Sequence, residues 1–296
     1  MIVNQDIKDY LKSADDNSIN LIITSPPYNI GKEYETKTNI NNYLKEQKNI
    51  IKELVRILKN DGSIAWQVGN YIQNKEVFPL DFYYYDIFKS LGLKLRNRII
   101  WKFGHGLHAN LRFSGRYETI LWFSKSDKYT FNLDNVRVPS KYPGKKYFKG
   151  DKKGQFSGNP KGKNPSDIWD IVVSDWDNEI WDIVNVKSNH VEKTAHPCQF
   201  PIELVDRLIL ALSNEGDVVL DPFGGVGSTL ISAVKNKRIG ISVEKEKEYC
   251  EIARERLKKL RNGDLKMREM TREIYSPKND SAAMVPKEWR GQGVYQ

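Results

Sequence analysis

Two periods of apolar residues alternate along this chain. Short continuous apolar runs recur at Asn20–Thr24, Ser63–Val68, Glu118–Phe123, Asp217–Asp221 and Ile239–Val243. Runs of that length, with no polar face, are what a strand buried on both sides requires. Met1–Gln5, ending at Asp6, and Leu93–Lys102 read as further strands. Between the runs the spacing changes to that of helices. Ile50, Ile51, Leu54, Val55 and Leu58 share one face of Tyr43–Lys59, which Asp61-Gly62 ends. Leu204, Leu208 and Ala211 do the same behind Pro201, a residue well placed at a helix start. Ile7–Ser13, Val77–Leu91, Leu230–Asn236 and Glu246–Leu260 complete the helical set, the last with many acid–base neighbours at i,i+4. Strands alternating with helices predict an α/β fold around a doubly wound, largely parallel sheet.

One region breaks this rhythm. From Arg137 to Lys163 the chain is rich in Gly and Pro and carries Lys141, Lys145, Lys146, Lys149, Lys152, Lys153 and Lys161. Tyr142, Tyr147, Phe148 and Phe156 are interleaved, and Asp151 is the only acid. Such a loop suits phosphate contact and base stacking. An internal echo follows, Ile168-Trp169-Asp170-Ile171-Val172 and Ile180-Trp181-Asp182-Ile183-Val184. Its offset is too short for a solenoid unit, so it reads as local duplication or chance. Beyond Arg261 the sequence is polar and poorly periodic, an arm or tail.

Composition narrows the function classes. The 296 residues suffice for one large α/β domain with an insert, and 39% hydrophobic content supports a core. No apolar run is long enough to span a bilayer or to serve as a leader near Met1, so a cytoplasmic location is expected. Cys198 and Cys250 stand far apart, which excludes a disulfide framework and gives no zinc pattern, and the four histidines are scattered. No metal is expected. The net charge of +9 favours a polyanionic partner, nucleic acid above all given the basic loop.

Two motifs carry the chemistry. Asp221-Pro222-Phe223-Gly224-Gly225-Val226-Gly227-Ser228-Thr229 is a glycine loop between a strand and a helix. Small residues there let backbone approach a ligand. Asp221 can meet a cationic group, and Glu244, about twenty residues on, stands where an acid grips ribose hydroxyls. An acid at the head of the loop suits S-adenosylmethionine, which has no phosphate, better than a nicotinamide cofactor. The second motif is Thr24-Ser25-Pro26-Pro27-Tyr28-Asn29. Its prolines stiffen the backbone and leave carbonyls free to accept. An exocyclic base amine is a poor nucleophile because its lone pair is conjugated with the ring. Accepting its protons at the Ser25 hydroxyl and Pro26 carbonyl draws density back to nitrogen, and Tyr28 offers a flat face to a flipped base. Pro197-Cys198-Gln199 superficially suggests a nucleophilic cysteine. It precedes the glycine loop and follows no buried strand, which argues against that role.

With the tip about two hundred residues ahead of the glycine loop, the sequence resembles the amino-methylating DNA methyltransferases of permuted motif order, the beta class. The resemblance covers residues 1 to about 260 and includes Asn29, Arg116-Tyr117-Glu118 before Leu121-Trp122-Phe123, and a His-Pro-x-Gln-x-Pro segment at His196–Pro201. It implies a Rossmann-like methyltransferase sheet with an inserted target-recognition module. Residues 1–124 would form the catalytic half, 125–190 the recognition insert, 191–262 the cofactor half and 263–296 a C-terminal arm. The third strand of the cofactor half would be Met1–Gln5, supplied from the opposite end of the chain. The implied catalytic residues are Ser25, Pro26, Pro27 and Tyr28. Those for S-adenosylmethionine are Asp6, Asp221, Pro222, Phe223, Gly225, Gly227, Ser228, Thr229, Glu244, His196 and Gln199. Those for double-stranded DNA are Lys145, Lys146, Lys149, Lys152, Lys153, Arg112 and Arg116. Ser25 at the head of the tip favours the 4-amino group of cytosine, with the 6-amino group of adenine as the alternative. A homodimer and a cognate restriction endonuclease are partners the resemblance admits. Readings from other classes are a DNA-binding protein without catalysis and an amino-methyltransferase acting on RNA or on protein glutamine. The intact motifs and the long basic insert weigh against these.

Overall fold

In chain order the elements of the computed structural model are β1 (Ile2–Asn4), α1 (Ile7–Ser13), β2 (Ile19–Thr24), α2 (Ile40–Ile57), β3 (Leu58–Val68), β4 (Asn70–Gln73), β5 (Glu76–Pro79) and α3 (Leu80–Ser90). There follow β6 (Lys94–Lys102), β7 (Tyr117–Ser124), β8 (Ile168–Trp169), α4 (Ile202–Leu212), β9 (Val218–Asp221), α5 (Ser228–Lys235), β10 (Ile239–Glu244) and α6 (Lys247–Asn262). The structure describes residues 1–31, 37–102, 108–138, 146–169, 192–196, 199 and 201–267. Lys145, Cys198, the second copy of the Trp-Asp echo and the tail beyond residue 267 lie outside them.

Eight strands form one sheet in the order β1-β10-β9-β2-β3-β7-β6-β8. The first five are parallel to one another and β7 is antiparallel to both neighbours. The chain's first strand seats beside its last: Ile2 pairs with Ser242 and Asn4 with Glu244, and the Gln5 N–H donates to the Glu244 carbonyl at 3.0 Å. The permuted order thus closes as the strand count predicts, with β1 completing the β9–β10 half.

Apolar runs sit in the centre because both faces are covered. Helices α1, α2 and α3 bury Leu11, Ile51, Leu54, Tyr84 and Phe88 against Ile22, Ile64, Trp66 and Phe123. On the opposite face α4 buries Leu204, Val205, Leu208 and Ile209 against Leu21, Ile23, Ala65 and Trp122. Each such side chain contributes about 1.5–3 kcal/mol on burial. Asn39 caps α2 by accepting from the Asn41 N–H at 2.8 Å.

The strand order reverses between β9 and β2, which lie side by side. In such sheets ligands occupy the crevice at the carboxyl ends of the strands where the order reverses. Both sequence motifs start at those ends.

Two local expectations differ from the structure. The predicted helix from Val77 begins only at Leu80, because residues 70–79 form the small hairpin β4–β5. Asn74 and Lys75, both at positive φ, make its turn. Asp61-Gly62 does not end a helix. Helix α2 stops at Ile57, and β3 runs through the pair.

Candidate active site

The tip is fixed by its neighbours. Asn29 adopts a left-handed φ of 61°. Its side chain donates to the Thr38 carbonyl and accepts from the Thr38 N–H, both at 2.7 Å. Tyr43 of α2 donates to the Pro27 carbonyl at 2.6 Å and shares a second 2.6 Å bond with Tyr84 of α3. Two helices therefore hold a strand end whose prolines leave it few backbone bonds of its own.

The glycine loop is equally constrained. A Cβ on Gly224 would stand 1.9 Å from the Ser242 hydroxyl oxygen on β10, so nothing larger fits. Gly227 starts α5 at φ 79° and lies against Ala253. Arg256 of α6, almost fully buried, donates to the Val226 carbonyl at 2.6 Å and pins the loop from behind.

A hydrogen bond joins the motifs: Thr24, beside the tip, donates to Asp221 Oδ1 at 2.6 Å across 197 residues of sequence. The Phe223 N–H donates to the same oxygen at 3.1 Å. Burial pushes the Asp221 carboxyl up to about 6 against the pull of these bonds. Glu244 receives the Gly225 and Glu246 N–H groups at 2.8 Å each. Burial raises its pKa, and those two bonds oppose the rise.

Around this junction opens a cavity of about 850 Å³. Ser25, Pro26, Pro27 and Tyr28 line it together with Asp221, Pro222, Phe223, Gly225, Ser228 and Glu244. Asp6, His196 and Gln199 reach it as well. Gly227 and Thr229 do not line it; they shape the loop and the start of α5. Asp6 caps α1 through the Lys8 N–H at 2.8 Å, and its side chain is exposed at the cavity mouth. The Gln199 amide is spent on its own turn, donating to the Glu192 carbonyl at 2.7 Å and accepting from Thr194. That turn presents His196, whose ring meets Tyr249 edge-on at 4.6 Å and lies 3.3 Å from where a Gly225 Cβ would be.

Sequence reasoning missed several residues here. Gln67, Tyr43, Tyr249 and Arg256 belong to no motif; Gln67 and Tyr43 stand out only as polar groups among apolar neighbours, and Tyr249 and Arg256 on the charged helix α6 carry no signal. Of the DNA candidates, Lys146, Lys149, Lys152 and Lys153 are exposed on a tight turn closed by the Lys146–Phe156 bridge. Phe148 and Phe156 are exposed beside them, and Lys146 sits 5.1 Å over the Phe156 ring. Arg112 is exposed between Leu111 and Phe113, while Arg116 is half-buried near His108. None of the six lines the cavity.

A family model described as DNA methylase matches residues 19–255. The chain belongs to the DNA methylase family. It is 47% identical over 253 residues to the type II methyltransferase M.BglII of Bacillus subtilis, covering 85% of this chain and 67% of that one. It is 31% identical over 264 residues to the DNA adenine methyltransferase YhdJ of Escherichia coli, covering 86% and 82%. Among solved structures it resembles TTHA0409 of Thermus thermophilus, a DNA modification methylase complexed with S-adenosyl-L-methionine. There the TM-score is 0.61 at 27% identity, covering 88% of this chain and 93% of that one. The family match starts at β2, so β1 and α1 precede the matched residues.

The site's chemistry fits that family's methyl donor. The donor set is two carboxylates and a glycine loop led by an acid, a setting for an amino-acid cation and ribose hydroxyls rather than for phosphates. The volume is within the range of small-molecule sites. Among the described residues no group of His, Cys, Asp and Glu is arranged to hold a metal ion, and no helix is long and apolar enough to cross a membrane.

Proposed function

We propose that this DNA methylase transfers a methyl group from S-adenosylmethionine to the exocyclic 4-amino group of cytosine in double-stranded DNA. The target base would be flipped out of the helix into the cavity. The carrying observation is the Thr24–Asp221 bond, which ties the amine-accepting tip to the cofactor corner in one cavity. Bound there, S-adenosylmethionine supplies an electrophilic sulfonium methyl. Asp221 would receive the cationic amino-acid end and Glu244 the ribose, with Gly225, His196 and Tyr249 closing the walls. The Ser25 hydroxyl and Pro26 carbonyl would accept hydrogen bonds from the amine and aim its lone pair. Tyr28, held by Ser25 and Gln67, would stack on the base. No covalent link to the base is needed. Alignment of amine and methyl is the main catalytic resource, for which roughly 7–11 kcal/mol is available in principle.

Ser25 supports cytosine over adenine. The YhdJ relative is a DNA adenine methyltransferase, so the 6-amino group of adenine is the alternative for the same geometry. The exposed turn bearing Lys146, Lys149, Lys152 and Lys153, with residues 125–190 as a target-recognition module, would hold the duplex by its phosphates. The type II relative suggests service in a restriction-modification pair. Sequencing DNA from cells that express the chain, with a readout of modified bases, tests the whole reading. 4-Methylcytosine at a fixed site is expected; 6-methyladenine would select the alternative, and unmodified DNA would remove both.

A further inference from the structure

A third acid opens onto the cavity. Glu118, on β7, lines it beside Tyr28 and Gln67. Gln67 of β3 donates from Nε2 to Glu118 Oε2 and accepts from the Tyr28 hydroxyl at 2.9 Å; that hydroxyl lies 3.1 Å from Ser25 Oγ. The other oxygen, Oε1, would be 3.1 Å from a Cβ on Gly69, and the Tyr28 ring edge 3.2 Å from the same point. Glycine at 69 therefore leaves room where the tip and the acid face each other. The elements around the carboxyl present Gln67 from β3, Tyr28 from the tip and Trp101 from β6. The ionisable groups elsewhere on the cavity include Lys193, His196, Asp221 and Glu244. Among the described residues no cation pairs with Glu118.

We propose that Glu118 is a further catalytic residue, the base that takes the proton the target amine must lose, with Gln67 as its positioning residue. This rests on the amino-methylation reading above. As the N–C bond forms, the S–C bond of the methyl breaks and its electron pair stays on sulfur. The nitrogen becomes cationic. Its N–H bond then breaks, the pair returns to nitrogen as its lone pair, and the proton bonds to a Glu118 oxygen. Solvent removes it after the product leaves. A primary amide is no proton carrier, so the Ser25–Tyr28–Gln67 chain orients the acid. The proton's route lies through the cavity that Ser25 and Glu118 both line. Burial raises the carboxyl to about 7, so it is a competent base from neutrality upward.

The test is single-turnover methyl transfer to duplex DNA by wild type, Glu118→Gln and Glu118→Asp across neutral pH. Glutamine keeps the side-chain length and can still accept from Gln67. The expected wild-type rate rises with pH through about 7. Glu118→Gln should lose roughly tenfold or more and lose that limb, while Glu118→Asp should keep the limb at a reduced rate. Calorimetry should find S-adenosylmethionine affinity unchanged in both variants. A Glu118→Gln enzyme with the wild-type rate overturns the proposal. So does a slowed one whose pH limb persists, since that would be a structural effect. If wild type itself makes no amino-methylated base, the function reading falls; if it does and Glu118→Gln matches it, only this inference falls.

Discussion

Asp221 and Glu244 on one side of the cavity, and Glu118 on the other, are carboxyls held in different ways; Asp221 is buried and the other two are half-buried. The first two are tied by backbone N–H groups, Phe223 for Asp221 and Gly225 and Glu246 for Glu244, with Thr24 added for Asp221. Glu118 has a single side-chain amide. Backbone donors favour an ionised acid and cannot rotate away. Burial raises all three carboxyls, Asp221 to about 6 and Glu118 to about 7, and Glu118 has only the one amide to oppose it. On the proposed reading the difference would separate two tasks, the first corner meeting the cofactor's cation and Glu118 taking up a proton.

The largest expected effect is at the binding corner. Charge-assisted hydrogen bonds contribute roughly 1.5–3 kcal/mol each, so Asp221→Ala and Glu244→Ala should weaken S-adenosylmethionine about 10- to 100-fold by calorimetry. Affinity in the wild type should also fall as pH drops through about 6, where Asp221 takes a proton. Unchanged affinity in both variants would erase the distinction between the corners.

Ser25 comes next, because on the proposed reading it would touch the target and not the cofactor. Ser25→Ala should lower turnover about tenfold, equivalent to roughly 1.4 kcal/mol of barrier, and leave cofactor affinity alone. A wild-type turnover would remove the hydroxyl from the proton-accepting set. A matching loss of cofactor affinity would mean that the two corners are not separable.

What the sequence made legible follows the same division. Buried strands announce themselves as apolar runs, and the two motifs sit at strand ends, so the sheet and the permuted closure by β1 could be read, and the two motifs line one cavity. Gln67 and Glu118 could not be assigned roles, because each is one polar residue in an apolar strand and its partner is 51 positions away. Their pairing depends on the β3–β7 register, Gln67 opposite Ile120, which no local pattern encodes. The hairpin β4–β5 was hidden for another reason. Its aromatic and apolar residues match helical spacing as well as strand spacing, and the turn at Asn74-Lys75 carries no glycine. Arg256 pins the glycine loop from a helix otherwise rich in surface charge, so its burial has no sequence signal.

A smaller effect concerns stability. Asp221 and Glu118 have folded-state values raised above the ordinary 3.8 and 4.5, so the folded protein holds protons that the unfolded chain has released. Stability then decreases as pH rises between the unfolded and folded values, and the penalty is complete above about 7. Asp221→Asn and Glu118→Gln should therefore raise Tm above neutrality, by roughly 1–3 kcal/mol in stability, with Glu118 at the low end because its carboxyl meets cavity water. The gain should vanish near pH 4. Thermal unfolding across this range checks it, and variants destabilised at alkaline pH would mean the acids contribute more through their hydrogen bonds than burial takes away.

The smallest effect per residue belongs to the exposed turn, which contrasts with the whole cavity. Cavity side chains are held by hydrogen bonds, whereas Lys146, Lys149, Lys152 and Lys153 are exposed, Lys146 and Lys152 over the rings of Phe156 and Tyr147. Lys161, by comparison, is paired with Asp134 at 2.6 Å and is not counted with them. Solvated cations contribute to DNA affinity by releasing counterions from phosphates, a sequence-independent term. Replacing the four with Gln should weaken duplex binding across all sequences and flatten the slope of log affinity against log salt by roughly 0.9 for each phosphate no longer neutralised. Site preference and cofactor affinity should both persist, because these residues position the duplex and touch neither base nor cofactor. Fluorescence anisotropy over a salt series, on a target duplex and a scrambled one, reads slope and preference together. An unchanged slope would leave the turn as a solubilising surface and move the phosphate path to the segment carrying Arg112 and Arg116. A changed preference would give the turn a reading role, which the comparison with the cavity denies it.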